Sequence, residues 1–265
     1  MSIHVRAPAT TANIGPGFDC AAVALDLWNE VEVSEGGGRP DPRHIGVRAF
    51  GLVASPQGLR FDWSERIPRA RGLGSSAATI ALGLVAATRW SGQELSAEEL
   101  LARGSPLEGH SDNLAACLAG GACVTWDGRI ERLTGTLPLT PVAVVPKQRV
   151  RTPDARNALP AEIPHADAAF NVARASLLGA GLARADARLL EAAFADRLHE
   201  PYRPSRLLDA IRTELPDGAV GATLSGSGPT VIVWAGDPEV CARELEERFP
   251  KETVMQLRVS PEGAH

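Results

Sequence analysis

The sequence is short of the features that would send a chain to a membrane, a nucleic acid or an oxidising compartment. No apolar run in its 265 residues approaches the roughly 20 that a bilayer-spanning helix needs. The opening MSIHVRAPAT has no basic stretch followed by a signal-type apolar one, so a cytoplasmic protein is expected. Cysteine is sparse: Cys20, Cys117, Cys123 and Cys241 include no C-x-x-C pair, and three lie in apolar surroundings. They read as reduced, buried thiols rather than a disulfide or zinc framework. A basic excess is also missing, because the formal net charge is −5, which argues against a nucleic-acid partner. What is present is ordinary globular material, 44% hydrophobic and 22% charged, enough for one large domain or two modest ones.

Along the chain the pattern changes character twice. Apolar and alternating β-rich runs at 3–6, 23–33, 45–50 and 59–63, divided by Gly and Pro clusters, predict strands. From Ser75 a run that is apolar on nearly every face predicts a buried helix. Ser96 and Glu99 have capping-box spacing and predict a second helix start, and 112–118 a third helix that Gly120-Gly121 stops. A strand at 122–126 follows. The apolar run 142–145 predicts a fresh central strand, followed by helices over 167–182, 185–198 and 205–215. The tail reads strand (219–224), glycine turn, strand (230–235), helix (238–249) and strand (253–259). The expectation is an α+β chain without internal repeats, divided into domains 1–140 and 141–265.

The segment Pro68-Arg69-Ala70-Arg71-Gly72-Leu73-Gly74-Ser75-Ser76 runs a glycine loop directly into the buried helix. Gly72 and Gly74 let backbone N–H groups approach and converge on one point, and the helix N-terminus adds roughly half a positive charge, so a phosphate is the natural ligand. Ser75 and Ser76 add hydroxyls for phosphate oxygens or a magnesium ion. The Lys-Ser/Thr ending of a Walker A loop is absent, which disfavours a P-loop NTPase. Taken alone, an ordinary glycine turn with a serine cap explains the segment equally well.

Four motifs occur in order: PATTANIGPGFD (8–19), the glycine loop, EGHSDN (108–113) and SGSGPT (225–230). Together they resemble the GHMP kinase superfamily over nearly the whole chain. The first and third resemble the homoserine kinases within it, since other members carry a lysine in the first motif where this chain has Thr10. The resemblance implies a two-domain GHMP kinase fold, with a ribosomal S5 domain 2-like N-terminal domain, a ferredoxin-like C-terminal domain and the active site between them. It also implies ATP and Mg²⁺ as cofactors, phosphorylation of the L-homoserine hydroxyl in threonine biosynthesis, and a possible homodimer. Another small alcohol as substrate, or a non-catalytic nucleotide- or amino-acid-binding regulator of the same fold, stays open.

By the same resemblance, residues 68–76 hold ATP, and Asn13, Asp19, His110, Arg156 and Arg203 surround the amino acid. Asp19 suits the ammonium, and Arg156 and Arg203 would clamp the carboxylate. Asn13, Asn113 and Thr152 are expected at the reacting end. Neutral Asn113 and Thr10 stand where lysine-bearing relatives activate the hydroxyl, which implies catalysis by alignment and electrostatics without a strong general base. Ser76 and Glu108 are the expected magnesium ligands. Two departures from the family stand out: no acid in Leu101-Ala102-Arg103-Gly104-Ser105-Pro106, and only Gly51-Leu52-Val53 in place of an Asn-Leu-Val helix on the adenine side.

Overall fold

The computed structural model describes residues 1–150 and 152–265. Strand β1 (Ser2–Asn13) pairs antiparallel along its length with the 22-residue β2 (Gly17–Gly38), joining the first motif's two ends by a tight turn. Then follow α1 (Ile45–Phe50), β3 (Gly58–Ser64), α2 (Ser75–Ser91), α3 (Ala97–Glu108), α4 (Asp112–Ala119), β4 (Ala122–Trp126) and β5 (Arg129–Thr134). These strands form a five-stranded sheet ordered β1-β2-β4-β5, with β3 paired to the far half of β2. Helix α2 is buried continuously from Ala77 to Ala87, because sheet and neighbouring helices cover every side of it. Ser96 and Glu99 form the expected reciprocal capping box at the start of α3.

The remainder contains β6 (Thr140–Val145), α5 (Thr152–Asn157), α6 (His165–Arg184), α7 (Ala187–Ala193), a 3₁₀ turn (Glu200–Tyr202), α8 (Arg206–Thr213), β7 (Ala219–Leu224), β8 (Val231–Ala235), α9 (Pro238–Arg248) and β9 (Thr253–Gln256). Its sheet is ordered β7-β8-β6-β9 and wholly antiparallel, the βαββαβ arrangement of ferredoxin-like folds. A second core forms where Leu208, Ile211, Cys241 and Leu245 pack on Val142, Val144, Val231 and Val233. We propose dividing the chain as 1–140 and 141–265 along these two sheets. Residues 258–265 nonetheless cross back onto the first sheet: Leu25 bridges Val259, and Arg6 and His265 exchange backbone hydrogen bonds of 2.8 and 3.0 Å. Among the described residues no helix is long and apolar enough to cross a membrane.

Five local features differ from what the sequence predicts. Residues 45–50, read as a strand, form helix α1, whose Gly46 carbonyl lies so close to Gly83 of α2 that a Cβ there would sit 2.1 Å from it. Close helix crossing, not local alternation, decides that segment. Strand β5 was not anticipated, although Asp127 and Gly128, both at positive φ (47° and 77°), are the Asp-Gly pair of a two-residue hairpin. The helix expected over 185–198 stops at Ala193, because the Asp196 carboxylate takes the N–H groups of Leu198, His199 and Glu200 at 2.7–3.1 Å. Strand β9 ends at Gln256, and α5 was likewise unanticipated.

Candidate active site

The glycine loop delivers the start of α2 to a cavity of about 100 Å³ between the two sheets. Gly74 is the residue preceding the helix, at φ 65°, and no side chain caps the helix and no acid sits in its first turn. The N–H groups of the first turn are therefore left for a ligand, at the positive end of the helix dipole. Glycine is required at both loop positions. A Cβ on Gly74 would lie 1.9 Å from Thr10 Oγ1, and one on Gly72 (φ 83°) would lie 2.3 Å from the Ser225 carbonyl. The fourth motif is the clamp behind the loop: Ser225 Oγ donates to the Gly72 carbonyl at 2.7 Å, and Thr230 N–H donates to the Arg71 carbonyl at 3.2 Å. Arg71 Nε in turn donates to the Pro146 carbonyl at 2.7 Å.

Charged side chains build the opposite wall. Arg156 on α5 donates twice to Asp19, Nη1 to Oδ2 at 2.9 Å and Nη2 to Oδ1 at 2.7 Å. The buried Arg203 reaches the Gly226 carbonyl at 3.3 Å, and Phe18 lies beneath both guanidiniums, 5.9 Å from that of Arg156 and 5.2 Å from that of Arg203. Asn13 and Asp19 both adopt left-handed backbone conformations, which Asn and Asp tolerate better than most residues. The Asn13 amide ties the turn together: Nδ2 donates to the Gly226 carbonyl at 2.9 Å, and Oδ1 accepts from Asp19 N–H at 3.0 Å.

The third motif closes the side between these walls. Gly109, at φ 85°, ends α3 and turns the chain, so that Glu108, His110 and Asp112 line the same cavity. Ser76 Oγ donates to Glu108 Oε2 at 2.7 Å. His110 Nδ1 lies 2.8 Å from Asp112 Oδ1, and its Nε2 lies 3.6 Å from Glu108 Oε1. Burial pushes the Glu108 carboxyl above the usual carboxylate range, although His110 and Ser76 oppose this. Burial lowers the His110 pKa, but the hydrogen bond and charge of Asp112, with the charge of Glu108, outweigh it and hold the imidazole above its ordinary value. Beneath the glycine loop the fully buried Thr10 donates to Asn113 Oδ1 at 2.6 Å.

Of the residues singled out in the sequence, Asn13, Asp19, Arg71, Gly72, Gly74, Ser75, Ser76, Glu108, His110, Asn113, Arg156 and Arg203 line this one cavity, and so does Ala70. Leu73 points instead into the core, with its carbonyl accepting from Thr10 N–H at 3.2 Å. Arg69 is turned to a neighbouring cavity of about 440 Å³ that it shares with His44, Ile45, Ser75, Ser76 and Thr79, while Pro68 lines neither. A helix does precede the loop on that side: it is α1, immediately upstream of residues 51–53. Thr152 belongs to α5 by its backbone, but its side chain lies outside the described residues. Sequence reasoning missed Asp112, Phe18 and His199. Asp112 belongs to the third motif and Phe18 to the first, so both are legible beside their motif neighbours.

Comparison with known proteins agrees with this layout. Residues 44–121 match the family of GHMP kinases N terminal domains. The homoserine kinase of Carboxydothermus hydrogenoformans is 38% identical, covering 93% of this chain and 90% of that protein. That of Gloeobacter violaceus is 40% identical, covering 86% of each. The crystal structure of homoserine kinase from Cytophaga hutchinsonii superposes with a TM-score of 0.88 at 28% identity, covering all of this chain and 96% of that one. Motifs, fold and relatives converge, and the chain belongs to the homoserine kinase family of the GHMP kinases.

Proposed function

We propose that the chain transfers the γ-phosphoryl group of ATP to the hydroxyl of L-homoserine, giving O-phospho-L-homoserine and ADP, a step of threonine biosynthesis. The observation that carries this reading is the opposition, across one cavity, of an uncapped helix start built from backbone donors and an Asp19–Arg156–Arg203 wall built from charges. The first suits the phosphates. The second suits a zwitterion, with Asp19 taking the ammonium and the two arginines the carboxylate. Asp19 and Arg156 pair with each other, so the wall offers both charge signs side by side, as a zwitterion requires. The larger neighbouring cavity, walled by α1 and reached past Ser75 and Ser76, lies where the nucleoside end of ATP would extend.

Ser76 and Glu108 fit a magnesium ion: they put two oxygen donors together at the phosphate end, and Mg²⁺ shared with substrate phosphates needs only one or two from the protein. When bound, the ion would supply charge neutralisation to the phosphates during transfer. The chain's own residues do the positioning. Asn13, whose amide has one hydrogen left among the described residues beyond its bond to Gly226, is assigned to orienting the substrate hydroxyl. The Thr10–Asn113 bond sets the height of the glycine loop, and Thr152, the first residue of α5, is assigned to the reacting end. The side chains of Thr10 and Asn113 carry no charge, and the cavity's carboxylates are engaged with Arg156, Ser76 and His110. Alignment and electrostatic stabilisation are therefore assigned the catalysis. Purified protein with Mg²⁺, ATP and millimolar L-homoserine is expected to release ADP in proportion to O-phosphohomoserine formed; ADP release that does not depend on homoserine would reject the reading.

A further inference from the structure

His199 lies behind the charged wall, fully buried, just before the 3₁₀ turn that carries Arg203. Its two ring nitrogens meet partners of opposite and fixed character. Nε2 is 2.8 Å from the Gly15 carbonyl, which only accepts, and Nδ1 is 3.3 Å from Arg203 Nη1, which only donates. Both contacts are satisfied in one state alone, the neutral imidazole with its proton on Nε2. Phe18 stacks on the ring at 5.2 Å between centroids and continues beneath the guanidiniums of Arg203 and Arg156. The backbone of His199 is pinned as well, donating to Asp196 Oδ2 at 2.8 Å.

We propose that His199 is a positioning residue for the phosphoryl acceptor: as the neutral Nε2–H tautomer it ties the turn between Asn13 and Asp19 to the Arg203 guanidinium, and so sets the spacing of the groups that hold the two ends of the amino acid. This rests on the assignment of Arg203 to the substrate carboxylate. The charged groups facing the ring are Asp196, Arg203 and Asp19. Burial, together with Arg203, keeps its pKa below the ordinary histidine value against the pull of Asp196 and Asp19, so the neutral form is the one present near neutral pH.

Two substitutions separate the arms. His199→Gln keeps a donor for Gly15 and removes the Nδ1 acceptor; His199→Asn keeps an acceptor near Nδ1 and removes the donor. Each is expected to raise the KM for L-homoserine about tenfold, the worth of one buried hydrogen bond, while the KM for ATP stays within about twofold. Arg203→Lys is the reference. If it leaves the KM for homoserine unchanged, the carboxylate assignment fails and takes the inference with it. If Arg203→Lys raises that KM and the folded His199 variants do not, or if they raise both KM values equally, the positioning role is overturned while the assignment stands. Should the variants not fold, ¹⁵N-histidine NMR of the unsubstituted protein decides: a neutral Nε2–H ring at His199 is expected near pH 7, and an Nδ1–H tautomer or an imidazolium overturns the proposal.

Discussion

The two ends of the cavity are made of different materials. At the end proposed for phosphate, consecutive residues supply the chemistry: Gly72 to Ser76 present backbone N–H groups and two hydroxyls, and no side chain has to travel. At the end proposed for the amino acid, Asp19, Arg156 and Arg203 come from segments up to 184 residues apart, held by Asn13, Phe18, His199 and the Gly226 carbonyl. A backbone site tolerates side-chain change everywhere except where a Cβ would collide. A side-chain site can be damaged from any of its supports. The phosphate end is therefore expected to fail by steric and backbone insult, and the substrate end by loss of charge or of alignment.

The largest effect is expected at Gly72→Ala. The new Cβ meets the Ser225 carbonyl at 2.3 Å and forces a positive φ on alanine. The cost is about 2–4 kcal/mol of stability with loss of ATP binding, read by urea melts and nucleotide titration. Tolerance of this change would break the contrast at its phosphate end. Next, Asp19→Ala takes away the carboxylate that pairs with Arg156 and the partner proposed for the ammonium; the KM for homoserine is expected to rise about a hundredfold, with the KM for ATP within about twofold. Equal rises in both constants would show that the two ends are not separable.

Thr10→Val probes the joint between them. It removes the donor to Asn113 Oδ1 and is expected to lower stability by about 1–3 kcal/mol, with kcat falling more than either KM changes, as measured by thermal melting and steady-state kinetics. The smallest effect is a pH dependence. His199 is held below its ordinary pKa by burial, so below about pH 6.5 the unfolded chain binds a proton that the folded one refuses. The unfolded state then carries more protons, and stability falls as pH drops through that window. The melting temperature of the unsubstituted protein should decline more steeply on acidification than that of His199→Gln. Parallel declines would remove His199 from the supports of the substrate wall.

Sequence alone determined a good deal here. The glycine loop opening a buried helix, the Ser96–Glu99 cap, the strands 122–126 and 219–224 and the ordered motifs are all local patterns, because hydrogen bonds within a turn or a helix depend on neighbours in the chain. Tertiary structure decided what depends on distant neighbours. It made 45–50 a helix by the close approach of Gly46 to Gly83, and anchored the turn after α7 through the bond from Asn171 to Asp196. It returned residues 258–265 to the first sheet, and paired Asp19 with Arg156, whose partnership no local spacing signals. His199 shows the limit most clearly. As a letter it is one histidine among six; only burial between a carbonyl and a guanidinium fixes its proton and gives it work.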